Sequence, residues 1–326
     1  MSNDSQRRLR FCALLYVSAT TSTAQDAPNM RSRLSAEQRL LSYLAMASRL
    51  GAGLQRHFGV PLQLLTNAPE RLQALIQARA QRRAGFCAAV QVLAIPFGDA
   101  LPASAQFHAA THKIYVFDHL ARQADYGFLL DLDVVCQRGF DADLLRRIEA
   151  GVPLVYDISE QVYAGHRYAA MAGDQARLSG QALEFRWYGG EFIGGPPAFF
   201  AQLFEALQPL LQRYTQAYAA LNHQGDEVIV SAALNLLRRR HGPDFCCDVA
   251  PLDVVRRHWG IATDHDAARL GAQSRHLSFV HLPAMKALLT SGWSDDGLLA
   301  LLRLLDRGPP RLAKQARRWL AALVPG

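Results

Sequence analysis

The segment YGFLLDLDVV, residues 126–135, is the most informative part of the sequence. Its first five residues are apolar or glycine except for Tyr126, which predicts a short buried strand. That strand delivers Asp131 and Asp133 at its carboxyl end, the edge at which open α/β sheets bind ligands. Two carboxylates on one face of an extended chain can share a hard divalent cation, so we expect Mg²⁺ or Mn²⁺ here. The alternative is that the two aspartates are only the polar opening of a loop.

The chain before this segment alternates short apolar runs with longer helical patterns, which is typical of parallel strands joined by helical crossovers. Strands are predicted at 11–17, 61–66 and 90–95, and helices at 35–57, 69–83 and 113–124. Ser35 is the expected N-cap of the first long helix, and Gly59 is its expected stop. The second half is less regular, with strands predicted near 152–157 and 277–281 and helices at 198–213 and 226–240.

Composition limits the classes that the chain can belong to. Half of its 326 residues (50%) are hydrophobic, so it can bury a substantial core. The net charge of +7 favours anionic partners such as phosphate groups, acidic glycans, nucleic acid or a membrane surface. Five cysteines without a C-x-x-C spacing indicate neither a zinc site nor a complete disulfide framework, and they favour a reducing compartment. No apolar run reaches about 18 residues, so no membrane-spanning helix is predicted.

The amino-terminal segment has two interpretations. Arg7, Arg8 and Arg10, followed by the apolar run 11–17 and Ser22-Thr23-Ala24, imitate a secretory signal. The other interpretation is a first buried strand at 11–17 that ends in a Ser/Thr-rich loop. A run of only seven apolar residues fits such a strand well.

Two further motifs follow in the second half. The segment WYGGEFIGGP, residues 187–196, contains four glycines, which let a backbone approach a ligand closely, beside aromatic rings that can stack on a sugar face. Its structural alternative is a pair of tight turns around a short strand. The segment GDEV, residues 225–228, opens an amphipathic helix, a place where acidic side chains also occur because they complement the helix dipole.

In this order and spacing, the three motifs resemble glycosyltransferase family 6, the retaining α-galactosyl and α-N-acetylgalactosaminyl transferases that include the blood-group enzymes. That family has D-V-D after an apolar strand, a segment like Y-Y-x-G-x-x-F-G-G, and H-D-E leading a helix. The resemblance covers roughly residues 35–240, including His57-Phe58-Gly59 and Leu64-Leu65-Thr66-Asn67. It implies a GT-A fold, an α/β domain with a Rossmann-like nucleotide-binding half and a mixed central sheet flanked by helices.

The resemblance also implies site residues. The metal would be bound by Asp131 and Asp133. The sugar pocket would be lined by Gly189, Gly190, Glu191, Gly194 and Gly195. The nucleotide base would lie near Tyr16, Val17 and Ser18. Glu227, or Asp226 beside it, would be the carboxylate that assists at the anomeric carbon. The chain departs from the family at Gly225, where the family has histidine, and at Glu191, which interrupts the glycine segment with a charge.

Three basic side chains outside these motifs are further candidates. His281 and Lys286, in VHLPAMK, resemble the H-x-x-G-x-K tail of other GT-A transferases, in which histidine completes the metal shell and lysine meets the diphosphate. The glycine of that tail is missing here, and His281 can instead be a strand-end histidine bonded to the backbone. Lys113 can reach a phosphate, or it can be a lysine on a helix surface.

The expected activity is therefore that of a metal-dependent hexosyltransferase that retains anomeric configuration. The donor would be a nucleotide-diphosphate sugar, with UDP favoured, and the acceptor a glycan or a lipid-linked glycan of bacterial polysaccharide biosynthesis. Nucleic acid is not an expected partner, because no recognition motif occurs and the arginines are scattered.

Two alternatives remain open. A haloacid-dehalogenase-type phosphatase also begins its chemistry with D-x-D after an apolar strand, and Lys286 and Asp295-Asp296 could serve as its later motifs. A non-catalytic GT-A protein could bind glycans, although it has no need for clustered carboxylates whose repulsion costs stability.

The expected organisation is one catalytic domain, 9–300, with a nucleotide-binding half at 9–135 and an acceptor and sugar-binding half at 136–300. A basic amphipathic tail, 301–326, follows. Its helix from Arg311 to Val324 has an apolar side with Trp319 and four basic residues on the rest, so it can lie on an anionic membrane surface or pack as a terminal cap. A cytoplasmic location, peripheral at the inner face of the membrane, is expected.

Overall fold

A computed structural model describes residues 9–18, 34–98, 108–164, 167–258, 276–290 and 294–300. Its strands are β1 (Leu9–Leu14), β2 (Leu62–Thr66), β3 (Val90–Ala94), β4 (Tyr126–Leu130), β5 (Val134–Cys136), β6 (Leu154–Asp157), β7 (Tyr188–Gly195), β8 (Cys247–Asp248), β9 (Val255–Arg257) and β10 (Phe279–His281). Its helices are α1 (Ala36–Phe58), α2 (Pro69–Ala80), α3 (His108–Thr111), α4 (Lys113–Ala121), α5 (Ala142–Glu149), α6 (Ser159–Ala164), α7 (Tyr168–Ser179), α8 (Pro197–Ala217), α9 (Asp226–His241) and α10 (Lys286–Leu289). Residues 295–300 are also helical.

The main sheet contains seven strands in the order β3-β2-β1-β4-β7-β6-β8. The strands β3, β2, β1 and β4 are parallel, β7 runs antiparallel to both of its neighbours, and β6 and β8 are parallel to each other. Helix α1 packs against β2, β3 and β5, whereas α4, α8 and α9 pack together beside β1 and β7. The predicted α/β architecture, a mixed central sheet flanked by helices, is confirmed.

The apolar run near the amino terminus is a central strand. Phe11 of β1 pairs with Leu62 on one side and with Phe128 on the other, and its ring stacks on that of Phe128 at a centroid distance of 4.8 Å. The interpretation of this run as a first buried strand is therefore confirmed. The strand lies at Leu9–Leu14, earlier than the predicted 11–17.

The first long helix begins and ends as predicted. The Ser35 side chain accepts a hydrogen bond from the backbone N–H of Gln38, whose own side chain accepts one from the backbone N–H of Ser35, so the first turn has a complete capping box. Gly59 ends the helix in the left-handed conformation, with φ of 72°, which glycine adopts without steric cost. The chain then leaves the helix and enters β2, which pairs with β1 in the sheet.

A small second sheet, with the order β5-β10-β9, lies beside the end of β4. After Asp131 and Asp133 the chain continues directly into β5, which pairs antiparallel with β10, so that Val134 lies opposite His281. Strand β10 also pairs in parallel with β9, which places His281 opposite Arg257. The second sheet therefore brings two distant residues to the D-x-D segment.

The glycine-rich segment forms one eight-residue strand, β7, with every residue buried, so the structural alternative of two tight turns around a short strand is wrong. Gly194 and Gly195 pair with Phe128 and Gly127, near the start of β4 and away from the end that carries Asp131. A Cβ atom on Gly194 would lie 2.6 Å from the Phe128 ring, and one on Gly195 would collide with the Phe199 ring. The two glycines therefore leave room for these rings, and the structure does not bring them to the predicted sugar pocket.

None of the described helices is long and apolar enough to cross a bilayer. The predicted amphipathic helix from Arg311 to Val324 lies outside the described residues, as does the rest of the tail at 301–326.

Candidate metal and donor site

The two aspartates and His281 meet at the carboxyl end of β4. One ligand atom from each of Asp131, Asp133 and His281 can be chosen so that all three lie within 4.8 Å of one another. Nε2 of His281 lies 3.1 Å from Oδ1 of Asp133 and 3.8 Å from Oδ2 of Asp131. The histidine is thus bonded to side chains of this cluster, and the interpretation as a strand-end histidine bonded to the backbone is wrong.

We call the group formed by Asp131, Asp133 and His281 the metal corner, and one lysine lies on each side of it. Nζ of Lys286 donates a hydrogen bond to Oδ2 of Asp133 at 2.6 Å. Nζ of Lys113 lies 2.7 Å from Oδ1 of Asp131 and also donates to the backbone carbonyl of Gly190 at 3.2 Å. Lys113 is buried, so the alternative of a lysine on a helix surface is wrong.

Lys113 also connects the corner to the first turn of α9. Its ammonium group lies 2.9 Å from Oδ2 of Asp226, close enough for an ion pair although not aligned as a hydrogen bond. A Cβ atom on Gly190 would lie 2.6 Å from this Oδ2 and 3.0 Å from Nζ of Lys113. Glycine at position 190 therefore makes room for the ion pair between α4 and α9.

Glu191 and Arg257 form the other side of the cluster. Glu191 is fully buried, and its carboxylate accepts two hydrogen bonds from Arg257, at 2.7 and 2.5 Å. The same carboxylate lies 3.1 Å from Nδ1 of His281. Arg257 bonds in addition to Oε1 of Glu227, whose Oε2 accepts a hydrogen bond from Nε1 of Trp187 at 3.0 Å.

The two aspartates of the metal corner differ in the direction in which their pKa values are shifted. Burial raises the pKa of Asp131, and Asp133 raises it further while Lys113 opposes the rise. Burial acts in the same direction on Asp133, but Lys286 and His281 together hold the pKa of Asp133 well below its usual range. Burial alone would lower the pKa of His281, yet Asp133 and Glu191 raise it to about 9. His281 is therefore protonated at neutral pH and acts as a cation in this corner.

The cluster has a surplus of negative charge. It contains five carboxylates, three lysine or arginine cations and one histidine, namely Asp131, Asp133, Glu191, Asp226, Glu227, Lys113, Arg257, Lys286 and His281. Even with the histidine protonated, negative charges outnumber positive ones by one. Two carboxylates and an imidazole are ligands that Mn²⁺ and Mg²⁺ sites can use, the carboxylates being the preferred ones. The donor set and the charge surplus both fit a divalent cation.

The predicted base-binding residues lie at the same edge of the sheet. They follow the carboxyl end of β1, which runs parallel to β4. The ring of Tyr16 stacks on that of His112, the neighbour of Lys113, at 3.8 Å. Asn67 fixes the main chain of Val17 by two hydrogen bonds, at 2.7 and 2.9 Å, and Ser18 is the next residue along. Burial and the neighbouring His108 lower the pKa of His112 to about 4, so its ring is neutral.

The aromatic residue beside the glycines has a different role from the expected one. Trp187 is buried, and its indole N–H is bonded to Glu227, so its ring is not a platform for a sugar. The imidazole of His223 meets this indole edge-on, and its Nε2 lies 4.0 Å from Oε2 of Glu227. The same Nε2 would lie 2.7 Å from a Cβ atom on Gly225. His223 therefore fills the space beside the position at which family 6 has histidine.

Sequence reasoning missed Arg257. It lies in the three-residue strand β9 and bonds a glutamate 66 positions away in the chain. The signal available in the sequence was weak: two adjacent arginines in an otherwise apolar stretch, Val254-Val255-Arg256-Arg257. The phosphatase alternative also finds no support, because Asp295 forms its ion pair with Arg49 at 2.7 Å instead of joining Lys286.

The solved structures that are similar to this chain include the following three. Galactosyltransferase LgtC in complex with donor and acceptor sugar analogues has 9% identity and a TM-score of 0.49, over 94% of this chain and 99% of that one. Mouse xyloside xylosyltransferase 1 without ligands has 11% identity and a TM-score of 0.45, over 84% and 97%. An active-site mutant of LgtC has 10% identity and a TM-score of 0.47, over 84% and 86%. No protein-family model and no curated protein sequence matches the chain, so the assignment to family 6 is not confirmed.

Proposed function

We propose that this chain is a glycosyltransferase that moves a sugar from a nucleotide-diphosphate sugar to a glycan or lipid-linked acceptor with the help of a divalent cation. The observation that carries the proposal is the meeting of Asp131, Asp133 and His281, with ligand atoms within 4.8 Å of one another, between Lys113 and Lys286. A diphosphate next to carboxylates needs cations to offset the repulsion. This corner offers both metal ligands and ammonium groups.

A bound cation and the two lysines would each act on the diphosphate of the donor. A bound Mn²⁺ or Mg²⁺ would stabilise negative charge on the departing diphosphate as a Lewis acid. Lys113 and Lys286 each keep their proton, because the neighbouring carboxylates outweigh burial and raise their pKa values above the usual range. Each can therefore donate N–H to a phosphate oxygen. The first residue of α4, Lys113, also stands at the positive end of a helix dipole, which favours an anion.

The carboxylate at the anomeric carbon is proposed to be Asp226. Both Asp226 and Glu227 begin α9, and the resemblance points first to Glu227. However, both carboxylate oxygens of Glu227 accept hydrogen bonds, one from Arg257 and one from Trp187. Burial raises the pKa of Glu227, but the charge of Arg257 outweighs burial and lowers this pKa. Such a carboxylate is a poor base and nucleophile. Asp226 faces Lys113 and the metal corner, where its carboxylate would stabilise a positive charge that develops on the sugar.

The remaining parts of the proposal concern binding and location. Tyr16, Val17 and Ser18 are proposed to hold the nucleotide base, with UDP favoured and retention of anomeric configuration expected from the resemblance to family 6. The acceptor, a cytoplasmic location and peripheral membrane contact through the tail at 301–326 stay proposals that rest on the sequence. The division of the catalytic domain at residue 135 is a proposal of the same kind.

A thermal-shift panel of nucleotide sugars with Mn²⁺ tests the function without knowledge of the acceptor. A ligand present at about 100 times its Kd stabilises the folded state by about 2.7 kcal/mol, which is several degrees in Tm for a domain of this size. We expect at least one nucleotide sugar to raise Tm with Mn²⁺ and to be slowly hydrolysed, with both effects lost in Asp131→Asn. If no nucleotide sugar raises Tm, and an aryl phosphate is hydrolysed with Mg²⁺ instead, the chain is a phosphatase.

A further inference from the structure

The glutamate that interrupts the glycine segment is the most deeply buried charged residue of the cluster. Glu191 lies in the middle of β7 and has an exposed fraction of 0%. An isolated buried carboxylate is costly, so its partners must hold it in one geometry. A Cβ atom on Gly189 would collide with Oε2 of Glu191, which means that the glycine leaves the space that this carboxylate fills.

The first partner of Glu191 is His281. Oε1 of Glu191 lies 3.1 Å from Nδ1 of the imidazole, whose opposite nitrogen, Nε2, faces Asp133 at 3.1 Å. A carboxylate that accepts a hydrogen bond from Nδ1 fixes the tautomer and leaves Nε2 as the nitrogen that can bind a metal. The backbone of Glu191 is fixed to the same corner, because its carbonyl accepts a hydrogen bond from the N–H of Asp131 at 3.3 Å.

The second partner is Arg257. Its guanidinium gives Glu191 two hydrogen bonds and also reaches Glu227, at the start of α9. Two parallel hydrogen bonds between a guanidinium and a carboxylate fix orientation as well as distance. Because Arg257 and His281 lie opposite each other on β9 and β10, both partners approach Glu191 from adjacent strands of the small sheet.

We propose that Glu191 is a positioning residue for the metal corner: its carboxylate holds Nδ1–H of His281 so that Nε2 faces Asp131 and Asp133, and Arg257 keeps that carboxylate in place. The proposal rests on the proposed function, in which the corner binds a divalent cation. In this role Glu191 acts on the metal site through His281 and touches neither sugar nor metal, in contrast to the sugar-pocket role that the resemblance implies.

The test measures Mn²⁺ binding to the full chain by titration, with free Mn²⁺ followed by electron paramagnetic resonance. Loss of a carboxylate behind a metal-binding histidine typically weakens metal binding by about 10–100-fold. We expect such a loss in Glu191→Gln, and no loss in Asp125→Asn, a control in an ion pair with Arg10. In a His281→Gln background, the further change Glu191→Gln should have little effect on the Kd, because the residue acts through the histidine.

An unchanged Kd in Glu191→Gln would overturn the proposal while leaving the proposed function standing. An equal loss in the presence and absence of His281 would also overturn it, because it would indicate general disruption of the fold. If the wild-type chain binds no Mn²⁺, the metal requirement of the proposed function fails as well.

A second measurement needs no folded Glu191 variant. Nitrogen-15 NMR of histidine-labelled wild-type protein with Mg²⁺ reports which ring nitrogen carries the proton, and the His281 signals are identified by their loss in His281→Gln. We expect a proton on Nδ1 and none on Nε2, because a metal bound to Nε2 replaces the proton of that nitrogen. A proton on Nε2, alone or together with one on Nδ1, would rule out the proposed arrangement.

Discussion

Replacing Lys113 by methionine should destabilise the metal-free protein, because one ammonium group serves two carboxylates from different parts of the chain. Asp131 follows β4 and Asp226 begins α9, and both lie within 3 Å of Nζ, at 2.7 and 2.9 Å. Methionine keeps the apolar part of the side chain and removes only the charge. The change therefore leaves the buried carboxylate of Asp226 and the half-buried carboxylate of Asp131 facing each other without a lysine between them.

The size of the effect follows from the burial of the three groups. Removing one partner of a buried ion pair costs about 3–5 kcal/mol. The side chain of Asp131 is still 25% exposed, so water screens part of the repulsion, and we expect the lower end, about 3 kcal/mol. For a domain of this size, that corresponds to a fall in Tm of about 6–12 °C.

The assay is urea unfolding at two pH values. A carboxyl group whose pKa is higher in the folded than in the unfolded protein stabilises the fold only where it is protonated. Burial already raises the pKa of Asp131, and loss of the Lys113 charge raises it further, so the deficit of Lys113→Met should be largest at pH 7.5 and shrink towards pH 5. The control is Arg122→Met at the other end of α4, an exposed pair with Asp118 that contributes no more than about 0.5 kcal/mol. Equal stability of the two variants, or a deficit independent of pH, would refute this account.

Three further predictions follow from the same contacts. Asp133→Asn should lose about 3–5 kcal/mol in urea unfolding besides its metal affinity, because it leaves Lys286, whose side chain is only 15% exposed, without its carboxylate; a fully stable variant would contradict the ion pair. Mn²⁺ affinity should rise about tenfold per pH unit from pH 6.5 to about 9 and then level off, because the metal displaces the proton of His281, whose pKa is raised to about 9; titrations that give a flat profile would exclude His281 as a ligand. Gly190→Ala should lower Tm by crowding the Asp226 carboxylate, which would lie 2.6 Å from the new Cβ atom, whereas Gly173→Ala, with no atom within 4 Å, should not.

Local sequence signals predicted the elements that carry the D-x-D segment. The strand at 126–130 has the predicted bounds, because its residues are apolar along their whole length, as expected for a strand buried on both faces. Helix α1 was predictable for a different reason. The capping box at Ser35 and the stop at Gly59 are signals contained within a few neighbouring residues.

The contacts within the rest of the site could not be predicted, because they join residues that are far apart in the chain. Lys113 bonds the carbonyl of Gly190, 77 positions later, and His281 bonds Asp133, 148 positions earlier. Arg257 lies in a strand too short to show any periodicity. The burial of Glu191 could not be predicted for a related reason, because only the pairing of β7 with β4 and β6 shows that the residue is fully buried.

The charges of this site also bear on the alternative of a non-catalytic protein. A purely structural network of buried carboxylates is stable when each one is paired, and Asp133, Glu191 and Glu227 each have a close cationic partner. Asp131 differs, because it is partly exposed and burial raises its pKa, whereas the pKa values of the other three carboxylates are lowered by their cationic partners. An aspartate in that setting costs stability near neutral pH, which is the pattern found at binding sites that a ligand later neutralises. Asp131 is one of the two carboxylates that converge with the imidazole of His281, so a divalent cation bound there would offset the repulsion between these carboxylates.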